Sequence, residues 1–433
     1  MSEQQPSTGH ALVGQYRRLR RTGVILVIVA MALLVINSLT PPTPSLVMPD
    51  ITPQQLAKLG VHLMLDDGRG QWPVERWQGQ MGYAGLVVPN GYAVQLVRSD
   101  DLQPEKWQQF FDLAAQYNIT PIIRLATVYN HEGGYWEAPP VDEDGGYQAI
   151  AADYAAFLTA LEWPTEPHYV IIGNEPNHGE EWGGKPDPVA YARFFVDVAD
   201  ALHAADPAIQ VLNAALDPYA PHTGNTPHEN GFYYIDAESF MDAMVEAIPD
   251  VFLRVDVWNS HSYPAQFTAP PWEQRYGVNR LNEAANITTE APPPNIYNRG
   301  INGYTWELWK LAQYGIEGLP VMITETGWRH EESVTEESLD AGDNLPDGLT
   351  IARYFDLALW GNGGRYPDLP EAGWTPLLHD ERVMAVIAFA LNGNPSEWGH
   401  TNWLVMKPDG AVRATYDIYD MVYSWQKALA NGE

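Results

Sequence analysis

The 433-residue sequence has no cysteine, which excludes disulfides, thiolate catalysis, zinc ribbons, iron–sulfur clusters and a lipoprotein anchor. Positive charge is scarce too: 24 lysines and arginines stand against 55 acids, a net charge of −31. A nucleic-acid partner needs a basic surface, which this composition does not supply. The acidity itself fits a solvated surface and a neutral or cationic ligand equally well. There is no P-loop, no Rossmann glycine fingerprint and no Gly-x-Ser-x-Gly elbow. His222, His228 and His379 are scattered without metal-ligand spacing such as His-x-His or His-Glu-x-x-His, so neither a metal nor a cofactor is expected.

Long apolar runs are also few. The longest, Val24 to Ile36, has thirteen residues, short of the ~17–25 that span a bilayer. Arg17, Arg18, Arg20 and Arg21 precede it, an arrangement shared by export signals and membrane anchors. No small-x-small cleavage site follows. We therefore expect a cytoplasmic basic stretch at 1–22, an uncleaved signal anchor at 23–39, and a Pro-rich spacer at 40–53. The bulk of the chain, 54–433, would lie outside, or be secreted if the segment is cut.

What the chain has in abundance is apolar and aromatic surface. Hydrophobic residues make up 45%, with 16 Trp and 23 Tyr, enough to bury a large core. Flat rings stack on the C–H faces of sugars, and they also fill the space between a sheet and its helices. Most are expected to be structural and a minority to face a cleft.

Short apolar runs alternate with amphipathic stretches. Strand candidates fall at 60–66, 92–98, 119–126, 168–173, 209–214, 253–259, 320–325 and 384–391. Helix candidates fall near 73–82, 104–117, 147–161, 187–205, 236–248, 303–314, 347–360 and 415–430. In Pro104 to Tyr117, Trp107, Phe110, Phe111 and Ala114 repeat at helical spacing while Glu105, Lys106, Gln108 and Gln109 face away. Eight such pairs are the count of a (β/α)₈ barrel. A doubly wound sheet would carry a phosphate turn after its first strand, whereas Asp66-Asp67-Gly68-Arg69-Gly70 opens no helix of that kind. Long segments follow the third, fifth, sixth and eighth strands, on the side where barrels build clefts.

Two motifs stand at strand ends. Gly173-Asn174-Glu175-Pro176-Asn177 follows the fourth strand candidate, and Thr324-Glu325-Thr326-Gly327-Trp328 closes the seventh. Two carboxylates converging across a barrel mouth suit glycoside hydrolysis. A separation of ~5–5.5 Å favours nucleophilic attack, and ~6.5–9.5 Å favours direct water attack. Asn174 can donate to a substrate hydroxyl. His261 and Tyr263, two apart at the end of the sixth strand, can share a face, Tyr263 donating to Glu325 and His261 orienting substrate or a carboxylate. Taken alone, such a His-x-Tyr pair reads as loop residues bonded to backbone.

Asn-Glu after the fourth strand, His-x-Tyr after the sixth and Glu after the seventh resemble the retaining glycosidases of clan A, (β/α)₈ enzymes that include cellulases, β-glucanases, mannanases and β-xylosidases. The resemblance covers roughly 60–430 and rests on few residues. It implies Glu175 as acid/base, Glu325 as nucleophile, Asn174 at the sugar 2-hydroxyl and Tyr263 beside the nucleophile. It also implies an arginine near the nucleophile, with Arg98 preferred over Arg124, and a tryptophan floor supplied by Trp398 or Trp403. The Thr-Glu-Thr-Gly-Trp form is similar to that of plant-type and fungal β-glucanases, and Gly-Asn-Glu-Pro-Asn to that of β-xylosidases and endoglycosidases, so the sugar is left open.

His62 points either into the mouth or into the packed core. Trp136 and Trp182 fall in loops, and Trp182, seven residues past Glu175, either shapes a subsite or caps the barrel. Asn118-Ile-Thr and Asn286-Ile-Thr match a glycosylation pattern that matters only where the cell glycosylates. The expected function is hydrolysis of β-linked O-glycosidic bonds by double displacement on a carbohydrate substrate. The alternatives are a transglycosylase with the same residues, a surface carbohydrate-binding protein on the same barrel, and a metal-dependent barrel hydrolase, for which strand-end histidine pairs are missing.

Overall fold

The computed structural model describes residues 46–331 and 345–432. The expectations for 1–22, for the anchor at 23–39 and for residues 40–45 of the spacer lie outside the described residues. Among the described residues, no helix is long and apolar enough to cross a membrane.

Eight parallel strands carry the fold: β1 (Leu59–Leu63), β2 (Tyr92–Arg98), β3 (Thr120–Ala126), β4 (His168–Ile172), β5 (Ile209–Asn213), β6 (Trp258–His261), β7 (Val321–Thr326) and β8 (Val383–Ala388). Each is followed by a helix: α1 (Val74–Val87), α2 (Pro104–Tyr117), α3 (Gln148–Thr159), α4 (Pro188–Ala205), α5 (Ala237–Ala247), α6 (Tyr304–Gln313), α7 (Gly348–Trp360) and α8 (Asp417–Asn431). The strand order is β5-β4-β3-β2-β1-β8-β7-β6. A parallel bridge from Leu212 to Val257 joins β5 to β6 and closes the ring. Asn213 and Asn259 stitch that seam: the Asn259 amide donates to Asn213 Oδ1 at 2.8 Å, and each side-chain amide donates to the other's backbone carbonyl at 3.1 Å.

The helices start where the sequence supplies caps. Asp187, Asp236 and Asp347 accept backbone amides from the first turns of α4, α5 and α7. Proline opens α2 and α4, where its missing N–H costs nothing. Strand residues are buried on both faces, as a sheet wrapped by helices requires. Val94, Ile122, Ile171, Leu212, Val257, Met322, Ala385 and Ile387 fill the lumen. Outside it, large rings pack between sheet and helices, Trp77 on Trp107 with centroids 5.5 Å apart and Trp360 on Trp425 at 5.9 Å.

One strand differs from expectation. The strand expected over 253–259 starts late: its first two residues belong to a 3₁₀ turn, Val251–Arg254, and β6 runs from Trp258 to His261. Leu253, the first residue of the expected strand, is 71% exposed on that turn, so its hydrophobicity signals neither burial nor extended backbone.

Candidate active site

Both glutamates stand at the C-terminal rim. After β4 the chain turns out at Gly173, whose φ of 89° suits glycine. Glu175 itself sits at φ 32°, a region that side-chain-bearing residues occupy at a cost of order 1–3 kcal/mol. Its amide donates to Ala215 O at 3.0 Å, which ties the turn to the segment after β5. Glu325 needs no turn: it lies within β7, and the sheet register sets it opposite His261 of β6.

The Glu325 carboxylate is buried and held on both oxygens. Arg124 Nη1 donates to Oε1 at 2.7 Å, and the Tyr263 hydroxyl donates to Oε2 at 3.1 Å. The same Arg124 nitrogen donates to Asn174 Oδ1 at 2.8 Å, which fixes that amide and turns its NH₂ away from the arginine. His261 Nδ1 lies 2.7 Å from Glu175 Oε1 and 3.7 Å from Glu325 Oε2. One ring nitrogen thus spans the two carboxylates. The two oxygens it touches are closer together than the ~6.5–9.5 Å that an inverting site leaves for its water.

Charges follow from these contacts. Burial works to raise the Glu325 carboxyl, but His261, Arg124 and the Tyr263 hydrogen bond outweigh it and hold the group below its ordinary value. Burial opposes a charge on His261, yet Glu325 and the hydrogen bond to Glu175 raise it. Tyr263 is pushed well up, first by burial and then by the two glutamates, so it stays a donor. His62, wholly buried 3.5 Å from Glu325 Oε1, is depressed to about 3 by burial and by Arg124, and is neutral.

A cavity of about 370 Å³ opens over this pair. Glu175, Glu325, Asn174, Tyr263, Arg124, Trp398, Trp136, Phe267 and Phe389 line it. Trp398 packs edge-on against Phe389 with centroids 5.0 Å apart. Trp403 lies in the core against Phe355 and does not reach the cavity. Arg98 is a correction as well. Register places it opposite Ala126, two residues beyond Arg124, where it pairs with Asp66 at 2.5 Å and Asp100 at 2.8 Å. The arginine that touches Glu325 is Arg124. Trp182 is buried on Tyr191 and Phe194.

The chain was compared with known proteins. No family model matches it, and neither does any curated protein sequence. Solved structures do match. One is a family 39 glycoside hydrolase from the gut symbiont Bacteroides cellulosilyticus, 16% identical, at TM-score 0.50, with 89% of this chain and 66% of that one covered. Another is a glucosidase from Croceicoccus marinus, 11% identical, at TM-score 0.51, with 88% and 69% covered. The likeness is one of fold. This chain spans about two thirds of each, so both neighbours carry further chain beyond the shared part.

Several cavity residues carry no signal of their own in the sequence. Glu181, six residues past Glu175, lines the cavity and is pushed up to about 7 by burial, with Glu175 adding to the effect and Arg69, Arg124 and His178 opposing it. His178 lies 2.7 Å from Asp217; burial opposes its charge, but that hydrogen bond raises it to about 9. Their closeness to the Asn-Glu motif is the one hint available in advance. Among the described residues, no group of three His, Cys, Asp or Glu side chains could hold a metal ion.

Proposed function

We propose that this protein hydrolyses β-linked O-glycosidic bonds with retention of configuration. The observation that carries the reading is the His261 nitrogen lying within hydrogen-bond or ion-pair reach of both Glu175 and Glu325, a spacing that suits a covalent rather than a direct displacement.

In this reading Glu325 is the nucleophile. Arg124, His261 and Tyr263 favour its ionised form, and they aim the carboxylate at the anomeric carbon from the cavity floor. Glu175 protonates the departing oxygen, breaking the glycosidic bond as the Glu325–sugar ester forms. Esterification removes a negative charge facing Glu175, which eases its later role as base toward water. Asn174, held by Arg124, offers its NH₂ to the sugar 2-hydroxyl, and Trp398 forms an aromatic wall of the subsite.

The test is an aryl β-glycoside panel with an activated fluorosugar. The expected result is label on Glu325, a first product of β configuration, and a fall of roughly 10³-fold or more in Glu325→Gln. Full activity in both Glu325→Gln and Glu175→Gln would end the reading. For location, we propose that the arginine-led segment 23–39 anchors the domain outside the membrane. Protease accessibility on intact cells checks this, and a fully protected domain would reject it.

A further inference from the structure

We propose that the glycan carries an anionic substituent, a uronate carboxylate or a sulfate ester, and that Arg69 recognises it. This rests on the glycosidase reading above.

The loop after β1 is built around this side chain. Asp67 Oδ1 accepts the backbone amides of Arg69 at 3.0 Å and Gly70 at 2.7 Å. Asp66 anchors the loop from behind, accepting from Arg98 at 2.5 Å and Lys106 at 2.9 Å. Gly68 has φ 79°, and a Cβ there would stand 2.5 Å from the Trp136 ring, so backbone strain and a clash both forbid another residue. The result is an arginine presented into the cavity. Its guanidinium carbon stands 5.4 Å from the Tyr129 ring centre and 5.5 Å from that of Trp398. Aromatic faces hold a guanidinium in place and leave its N–H fork free in the ring plane.

Among the described residues, no carboxylate lies within ion-pair distance of that fork. Acids outnumber bases 55 to 24 here; of the other basic residues lining the cavity, Arg124 and His178 are taken by Glu325 and Asp217, and Arg329 and His400 have interactions of their own. A half-buried guanidinium facing a substrate cavity without a carboxylate fits a planar or trigonal anion, which it can bind bidentately. The overall negative charge does not oppose this at contact range, because exposed charges farther away than ~8–10 Å are screened at physiological salt. Glu181 shares the cavity and feels the Arg69 charge. Its protonated form accommodates a neighbouring anion.

The experiment compares uronides, sulfated glycosides, uronide methyl esters and neutral glycosides bearing one aglycone, in the wild type, Arg69→Ala and Arg69→Lys. The readout is the anionic-to-neutral ratio of kcat/KM, which cancels any common loss through misfolding. We expect a wild-type ratio above ten for the uronide or the sulfated arm, whichever is the natural source. That ratio should fall roughly 10–100-fold in Arg69→Ala and less in Arg69→Lys, and methyl esterification should remove the preference. A wild type that favours neutral glycosides, or a ratio unmoved by Arg69→Ala, overturns the inference while leaving the glycosidase reading intact. If the wild type hydrolyses nothing in the panel, the glycosidase reading fails instead. Calorimetric binding of glucuronate, its methyl ester and glucose 6-sulfate then decides for Arg69: tighter binding of either anion, weakened in Arg69→Ala, supports it, and equal binding of ester and acid with no sulfate preference rejects it.

Discussion

Arg124 Nη1 stands 2.7 Å from Glu325 Oε1, with less than a tenth of either residue exposed. Neither charge is accommodated without the other. Removing one partner of a buried pair leaves an uncompensated charge, at a cost of about 3–5 kcal/mol.

From this pair we predict that Arg124→Met lowers kcat by roughly two to three orders of magnitude. Without the arginine, burial has less opposition and the Glu325 carboxyl rises, so the acid limb of the kcat/KM profile should move to higher pH. Arg98→Gln should leave that limb in place, because among the described residues Arg98 pairs with Asp66 and Asp100 and not with Glu325. An unmoved limb in Arg124→Met, measured on any hydrolysed aryl glycoside, refutes the assignment.

Tyr263→Phe removes one donor to Glu325 and little volume. A hydrogen bond to a charged acceptor contributes about 1.5–3 kcal/mol, which predicts a loss of roughly 10–100-fold in kcat with the melting temperature nearly unchanged. A large drop in stability with full activity would assign the tyrosine a purely structural role.

His178 should make stability depend on alkaline pH. Burial disfavours its charge, but the hydrogen bond to Asp217 raises it to about 9. The unfolded value is ~6.5, so this contribution is fully present below about 6.5 and is lost as pH rises through about 9. Its size is on the order of 3 kcal/mol. Urea midpoints at pH 6 and pH 9.5 should differ more in the wild type than in His178→Gln.

Glu307 should show a titration of the same sign in a lower pH range. It is buried on α6, accepts the Trp258 indole N–H at 2.7 Å, and is pushed up to about 7 by burial, which outweighs the bonds from Trp258 and Ser260. A raised carboxyl favours folding below its unfolded value of ~4.3 and loses that advantage as pH climbs to about 7. Glu307→Gln keeps an acceptor for Trp258 and abolishes the titration. The variant should be more stable than the wild type at pH 8, by denaturant unfolding, and equal or lower stability there would reject this account.

Much of the barrel was legible in advance because its signals are local. Pro104 to Tyr117 coincides with α2, since proline, amphipathic spacing and the left-handed Asn118 all act within a few residues. Asp187, Asp236 and Asp347 mark helix starts for the same reason. The sixth strand starts later than expected because Leu253 and Arg254, at the head of 253–259, close a 3₁₀ turn, and an apolar residue type does not by itself encode extended backbone.

The site divides along the same line. The residue types and strand ends of Asn174, Glu175, His261, Tyr263 and Glu325 are determined by the sequence itself, because strand periodicity and turn residues are written along the chain. Tertiary structure alone decided the level at which each side chain enters the mouth. The stagger of β2 against β3 puts Arg98 opposite Ala126 and one pleat repeat beyond Arg124, so Arg124 meets Glu325 and Arg98 meets Asp66. The path of the chain after β8 likewise sends Trp398 to the cavity and Trp403 to the core. Register and loop path depend on partners from about thirty to two hundred residues away, and no local pattern encodes those distances.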